Sequence, residues 1–253
     1  MRRVWLALLI AGCSGTTGSN LVSFTARAGG PSDAAGALEF DSGNGYHLQL
    51  TQAALHLGAV YLNMSPPLSG GNEQPCILPG IYVGQAYAGL DLDLLSPDLI
   101  GFSAAGEGTA NPALVGEVWL TGGDINAADD PTPILQTAGT ASKDGMQWPF
   151  TATVTIGANR AIPPTNPAMP GTNPICRERI VSPIRIDLTL SDGGVLDLRI
   201  DPRGMFNGVD FASLPATTGS YVIPDEQGGV GAQLFKGLVA SSGVYQFGFT
   251  PKP

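Results

Sequence analysis

Ile184-Arg185-Ile186-Asp187-Leu188-Thr189-Leu190-Ser191-Asp192-Gly193-Gly194-Val195-Leu196-Asp197-Leu198-Arg199-Ile200 reads as two strands and not as a helix. Ile184, Ile186, Leu188 and Leu190 recur at every second position, and Leu196, Leu198 and Ile200 repeat the pattern after the turn Ser191 to Gly194. A period of two puts alternate side chains on opposite faces, so each segment has one apolar and one polar side. Folded as a hairpin, the stretch sets Leu190 opposite Leu196, Leu188 opposite Leu198 and Ile186 opposite Ile200. Its wet face would then carry two opposite-charge pairs, Asp187 with Arg199 and Arg185 with Asp201. The expected fold is all-β, a mostly antiparallel β-sandwich of immunoglobulin-like or jelly-roll-like type, with long proline-rich loops and one or two short helices.

Composition agrees with that expectation. The 253 residues include 35 Gly and 21 Pro, with 43% hydrophobic but only 13% charged residues, a profile of many short strands joined by turns. The formal charge of −9 argues against nucleic acid as a partner, because phosphate binding needs a basic surface.

The same alternation recurs along the chain. Val22, Phe24 and Ala26 mark a first half-buried strand, and Ala37 to Asp41 with Tyr46 to Leu50 form a hairpin around Ser42-Gly43-Asn44-Gly45. Apolar residues then change parity, from Leu48 and Leu50 to Leu55, Leu57, Ala59 and Tyr61, which calls for a bulge or break near Thr51 to Ala53. Further strands are expected over Ala88 to Leu94, Leu99 to Ala104, Leu114 to Asp124, Ile134 to Thr140 and Gln147 to Ile156. Trp148 belongs to the core side of the last of these, and Pro149 puts that strand at an edge or a bulge. Met205 to Leu214 and Ala232 to Val239 are the candidate short helices, and Val244 to Phe249 the final strand.

At the N-terminus, Arg2 and Arg3 precede an apolar run from Val4 to Ile10, and Ala11 and Gly12 lead to Cys13. This charged, apolar and small-residue order is that of a secretory signal, too short to span a bilayer. Ile10-Ala11-Gly12-Cys13 resembles the lipobox of bacterial lipoproteins, which implies lipidation, palmitate included, at Cys13. Ser14, where a retention signal would place Asp, implies outer-membrane sorting. The implied organisation is a signal peptide over residues 1–12, a lipidated cysteine and flexible tether over 13–20, and a single β domain over 21–253. Membrane association is then expected from the acyl chains, with the acidic domain standing off the bilayer.

With Cys13 assigned to the lipid, Cys76 and Cys176 remain as a pair in an oxidising compartment. Each lies in a proline-rich loop, and a bridge closing roughly 100 residues would stabilise by up to about 4.7 kcal/mol. Two separate thiols, or a copper-binding pair, are the alternatives.

No nucleophile elbow, zinc-protease helix, Cys-x-x-Cys, phosphate loop or dinucleotide fingerprint occurs. Two histidines leave little acid–base chemistry at neutral pH, so a binding or scaffold module without catalysis or cofactor is expected, a carboxylate-based hydrolase being the remaining enzymatic reading. The ligand face is placed on Glu117, Trp119 and Thr121, where an aromatic plane beside hydrogen-bonding groups suits a sugar or peptide, or an envelope protein; the alternative is that a loop or helix covers Trp119 and makes it a satellite core residue. Candidate metal ligands are His47, His56 and Met64 for copper and Asp124, Asp129 and Asp130 for calcium. The run Leu55-His56-Leu57-Gly58-Ala59-Val60-Tyr61-Leu62 is faintly similar to the periplasmic copper-binding proteins associated with methanobactin, which implies a periplasmic copper-binding alternative.

Overall fold

In a computed structural model of the chain, residues 20–65, 80–120, 130–156 and 180–253 are described. They form thirteen strands: β1 (Leu21–Gly29), β2 (Leu38–Asp41), β3 (His47–Asn63), β4 (Tyr82–Asp93), β5 (Ile100–Gly101), β6 (Gly106–Thr109), β7 (Pro112–Trp119), β8 (Asp130–Lys143), β9 (Met146–Ile156), β10 (Ile180–Thr189), β11 (Val195–Ile200), β12 (Tyr221–Ile223) and β13 (Tyr245–Thr250). Helix α1 (Gly229–Leu238) and two 3-10 turns, Pro202–Phe206 and Phe211–Ser213, complete the elements. The protein is all-β, and its pairings are antiparallel except β1 with β11 and β9 with β12.

The long strand β3 joins the two halves. Its first half pairs with β2 on one edge and β8 on the other, its second half with β4 and β7. The first pairing is the hairpin expected around Ser42 to Gly45, where Gly45 takes the positive φ of 75° that the turn needs. The expected parity shift is present as a slip between Leu50 and Gln52. From β3 the sheet runs through β8, β9 and β12 one way, and through β4, β6, β1, β11 and β13 the other. Strand β9 presents Trp148, Phe150, Ala152 and Val154 to the core. Pro149 stands one residue before the stretch that β12 covers, so its missing N–H leaves no gap in that ladder.

Two-layer packing arises from one sheet that folds back on itself. Strands β7 and β13 are not paired, yet a Cβ on Gly116 of β7 would lie 2.6 Å from the Phe247 ring of β13. Only a glycine lets the ring come that close. The other side of the core is a cluster of aromatic rings, Tyr46, Trp148, Phe150, Phe206 and Phe211, closed over by α1 and the two 3-10 turns. The region 205–214 is therefore two short turns and not one helix, whereas α1 covers the second expected helix.

The hairpin expected between Ile184–Leu190 and Leu196–Ile200 does not form. Strand β10 pairs with β7 in one layer, and β11 pairs with β1 and β13 in the other. The turn between them is stitched to β1: Ser23 N donates to Asp192 Oδ1 at 3.0 Å, Gly193 N to Ser23 O at 2.7 Å and Thr25 N to Gly194 O at 2.9 Å. The parallel register sets Ala26 beside Leu196 and Ala28 beside Leu198, so a remote strand extends the same apolar face that the hairpin would have made. The local charge pairs Asp187–Arg199 and Arg185–Asp201 are replaced as well. Arg27 bonds Asp197 at 2.8 Å, Arg199 caps the carbonyls of Gly30 and Pro97, and Arg203 binds both Asp201 and Asp33. Both Arg27 and Asp197 are partly exposed, so Arg27→Ala should cost no more than about 1 kcal/mol in urea unfolding.

Candidate functional site

The site begins with the alternation of β7. Gly116 and Val118 face the core between the layers, which turns Val115, Glu117 and Trp119 to the opposite face. That face was expected to be wet, but Val115 and Glu117 are both fully enclosed. The reason is that β7 is an interior strand, flanked by β3 and β10, and its neighbours send large side chains over it. Tyr61 stands directly across from Glu117, and its ring packs against Trp119 at 5.1 Å and Tyr82 at 5.5 Å between centroids. The pairing of β3 with β4 slips between Leu57 and Ala59, with the extra residue on β4. Beyond the slip, Val60 and Leu62 take the core side, so Tyr61 does not share a buried face with Leu55 and Leu57 as its parity suggested.

Glu117 is the polar centre of the cluster. Its Oε1 accepts from Asn63 Nδ2 at 2.7 Å, its Oε2 accepts a longer bond from Trp119 Nε1 at 3.5 Å, and the Tyr82 hydroxyl also donates to it. Burial raises the Glu117 carboxyl above its ordinary value, while the donors from Trp119, Tyr82 and Asn63 pull it back. Burial and the nearby Glu117 charge push the Tyr82 phenol up to about 12 and raise Tyr61 as well. Asn63 is itself buried, and its Oδ1 has no hydrogen-bond partner among the described residues.

Tyr82 connects this enclosed cluster to an open cleft of about 550 Å³. Leu21, Ser23, Gln85, Glu107 and Asp192 line the cleft with it, drawn from β1, β4, β6 and the β10–β11 turn. Pairing fixes their spacing: Ser23 stands opposite Glu107, and Glu107 opposite Gln85. Among the described residues the lining carries two acids and no Lys or Arg. The alternation of β7 signalled Glu117 and Trp119, but the cleft itself joins strands far apart in sequence. A run of polar residues at alternate positions in β4 and β6 was its only local trace.

Of the expected ligand residues, Glu117 and Trp119 come together, and Thr121 lies outside the described residues. Cys13, Cys76, Cys176, Asp124 and Asp129 also lie outside them, as does the side chain of Asp130. His47 and His56 sit on one extended strand, roughly 30 Å apart at the usual rise, and each bonds a different carboxylate. His47 Nδ1 meets Asp41 at 3.0 Å and His56 Nδ1 meets Asp91 at 2.7 Å. Met64 packs against the core beyond the far end of β3, so the structure does not gather these three candidates. Among the described residues no group of three His, Cys, Asp or Glu side chains could hold a metal ion, and no helix is long and apolar enough to cross a membrane. No family model, curated protein or solved structure matches this chain.

Proposed function

We propose that this chain is a lipid-anchored lipoprotein of the bacterial outer membrane that works by binding a saccharide, without catalysis, in the cleft beside Tyr82. The anchor rests on Ile10-Ala11-Gly12-Cys13 in the sequence. The binding reading rests on one observation: a partly exposed aromatic ring, held in place by Glu117 and Tyr61, borders a cleft lined with Ser23, Gln85, Glu107 and Asp192. A ring face takes the C–H side of a sugar while amide, hydroxyl and carboxylate groups bond its hydroxyls. Two acids and no basic residue among the described lining residues disfavour an anionic ligand by repulsion and desolvation. Neutral and amino sugars fit this lining, and uronic acids do not.

Titration of the full chain with neutral, amino and uronic oligosaccharides, followed by isothermal calorimetry, tests the reading. Saturable binding of a neutral or amino sugar is expected, weakened about ten-fold or more by Tyr82→Ala, equivalent to about 1.4 kcal/mol. Tyr82→Phe should keep the ring's contribution. Binding of none of the three classes, preference for uronic acids, or binding that Tyr82→Ala leaves unchanged would overturn it.

A further inference from the structure

Four of the large apolar side chains on the surface gather at one end of the sheet. Leu21 is 87% exposed, Ile81 58%, Leu114 47% and Tyr82 43%. They stand at the starts of β1, β4 and β7, and pairing makes them neighbours along one rim. Val115 lies across from Asn63, and Asn63 from Tyr82. One step further out, Met64 N donates to Ile81 O at 2.9 Å, and beyond β6 Ala110 N donates to Asn20 O at 3.2 Å. The rim therefore runs Leu114, Met64, Ile81, Ala110, Leu21 across β7, β3, β4, β6 and β1. Of the other exposed apolar residues, Met146 is at the β8–β9 turn, beside the opposite end of β3, Ile100 pairs with Ala28 near the far end of β1, Val222 lies on β12 opposite Thr151, and Tyr87 stands further along β4, opposite Ala59.

The geometry points to this rim as a surface that rests on the headgroup zone of a zwitterionic bilayer. The inference depends on the lipid anchor at Cys13 proposed above. Leu21 follows Cys13 by eight positions, a chain that spans at most about 28 Å when fully extended. The end of the domain closest to the acyl chains is thus the end where β1 starts, and it is the end that exposes Leu, Ile and Tyr. Glu107 and Asp192, close behind the rim, favour a zwitterionic surface over an anionic one. The domain then sits down on the membrane instead of standing off it, and the cleft beside Tyr82 opens next to the bilayer surface.

Photolabelling tests this with the full lipidated chain in phosphatidylcholine vesicles that carry a diazirine-bearing lipid. Peptides containing Leu21, Ile81, Tyr82 and Leu114 should be labelled at least ten-fold more than those containing Ile100, Met146 and Val222. Leu21→Asp with Ile81→Asp should abolish the difference while the β-sheet circular dichroism spectrum is retained, since both side chains are largely exposed. Equal labelling of both sets, or rim labelling that survives the double substitution, would overturn the inference. The mass of the N-terminal peptide separates the two ideas. If Cys13 carries no acyl chain, the anchor fails, and the same reagent applied to the unanchored chain decides the rim by the presence or absence of the same labelling pattern.

Discussion

Phe211→Ala is expected to lower the stability of the domain by about 3–5 kcal/mol, a large share of the roughly 5–15 kcal/mol that a domain usually has. Phe211 is fully buried, with its ring 4.9 Å from Phe150 and 5.3 Å from Tyr46 between centroids, and stacked near Phe206. It belongs to a 3-10 turn too short to hold itself, so the cavity cannot be closed by a small shift of a regular element. The turn is instead pinned from β3's side: the Tyr46 hydroxyl donates to Asp210 at 2.5 Å and accepts from Ala212 N at 3.0 Å. Urea unfolding of Phe211→Ala should show a lower midpoint with an unchanged slope. Tyr46→Phe, which keeps the ring and deletes only these bonds, should cost about 1–2 kcal/mol. Equal costs for the two variants would mean that the ring cluster is not what holds this side of the core.

Glu117→Leu should cost about 2–3 kcal/mol, because Asn63 Nδ2 would be left buried without an acceptor and Trp119 would lose its own. Glu117→Gln keeps an acceptor for Asn63 and removes a charge that burial disfavours, so its cost at neutral pH should be smaller. The sign of the pH dependence follows from the raised carboxyl. The folded chain holds the Glu117 proton to higher pH than the unfolded chain, so this contribution is complete below the unfolded value near 4.5 and is lost as pH rises through the folded value. The stability of the parent minus that of Glu117→Gln should therefore fall over that window and level off above it. Urea midpoints of both proteins from pH 4 to 8 measure the difference, and a difference that rises with pH would show that the three donors outweigh burial.

Local pattern alone determined most of the strands and, in β1, β9 and the first half of β3, which side is apolar, but it did not announce β6 or β12. Val22, Phe24 and Ala26 in β1, Leu48 and Leu50 in β3, and Trp148, Phe150, Ala152 and Val154 in β9 are buried as alternation requires, because side chains of a strand point to opposite faces whatever the partner. The slip near Thr51 was legible for the same reason, since a change of parity demands an extra residue. Partners were not legible. The apolar faces of β10, β1 and β13 are equally good neighbours for Leu196, Leu198 and Ile200, and only the whole layered core decides that β1 and β13 flank β11 while β10 crosses to the other layer. The candidate site depends on that decision. Glu117 reads as a wet residue from its own strand, and it is buried because Tyr61, Asn63 and Tyr82 arrive from β3 and β4, whose slipped pairing no periodicity within β7 can announce.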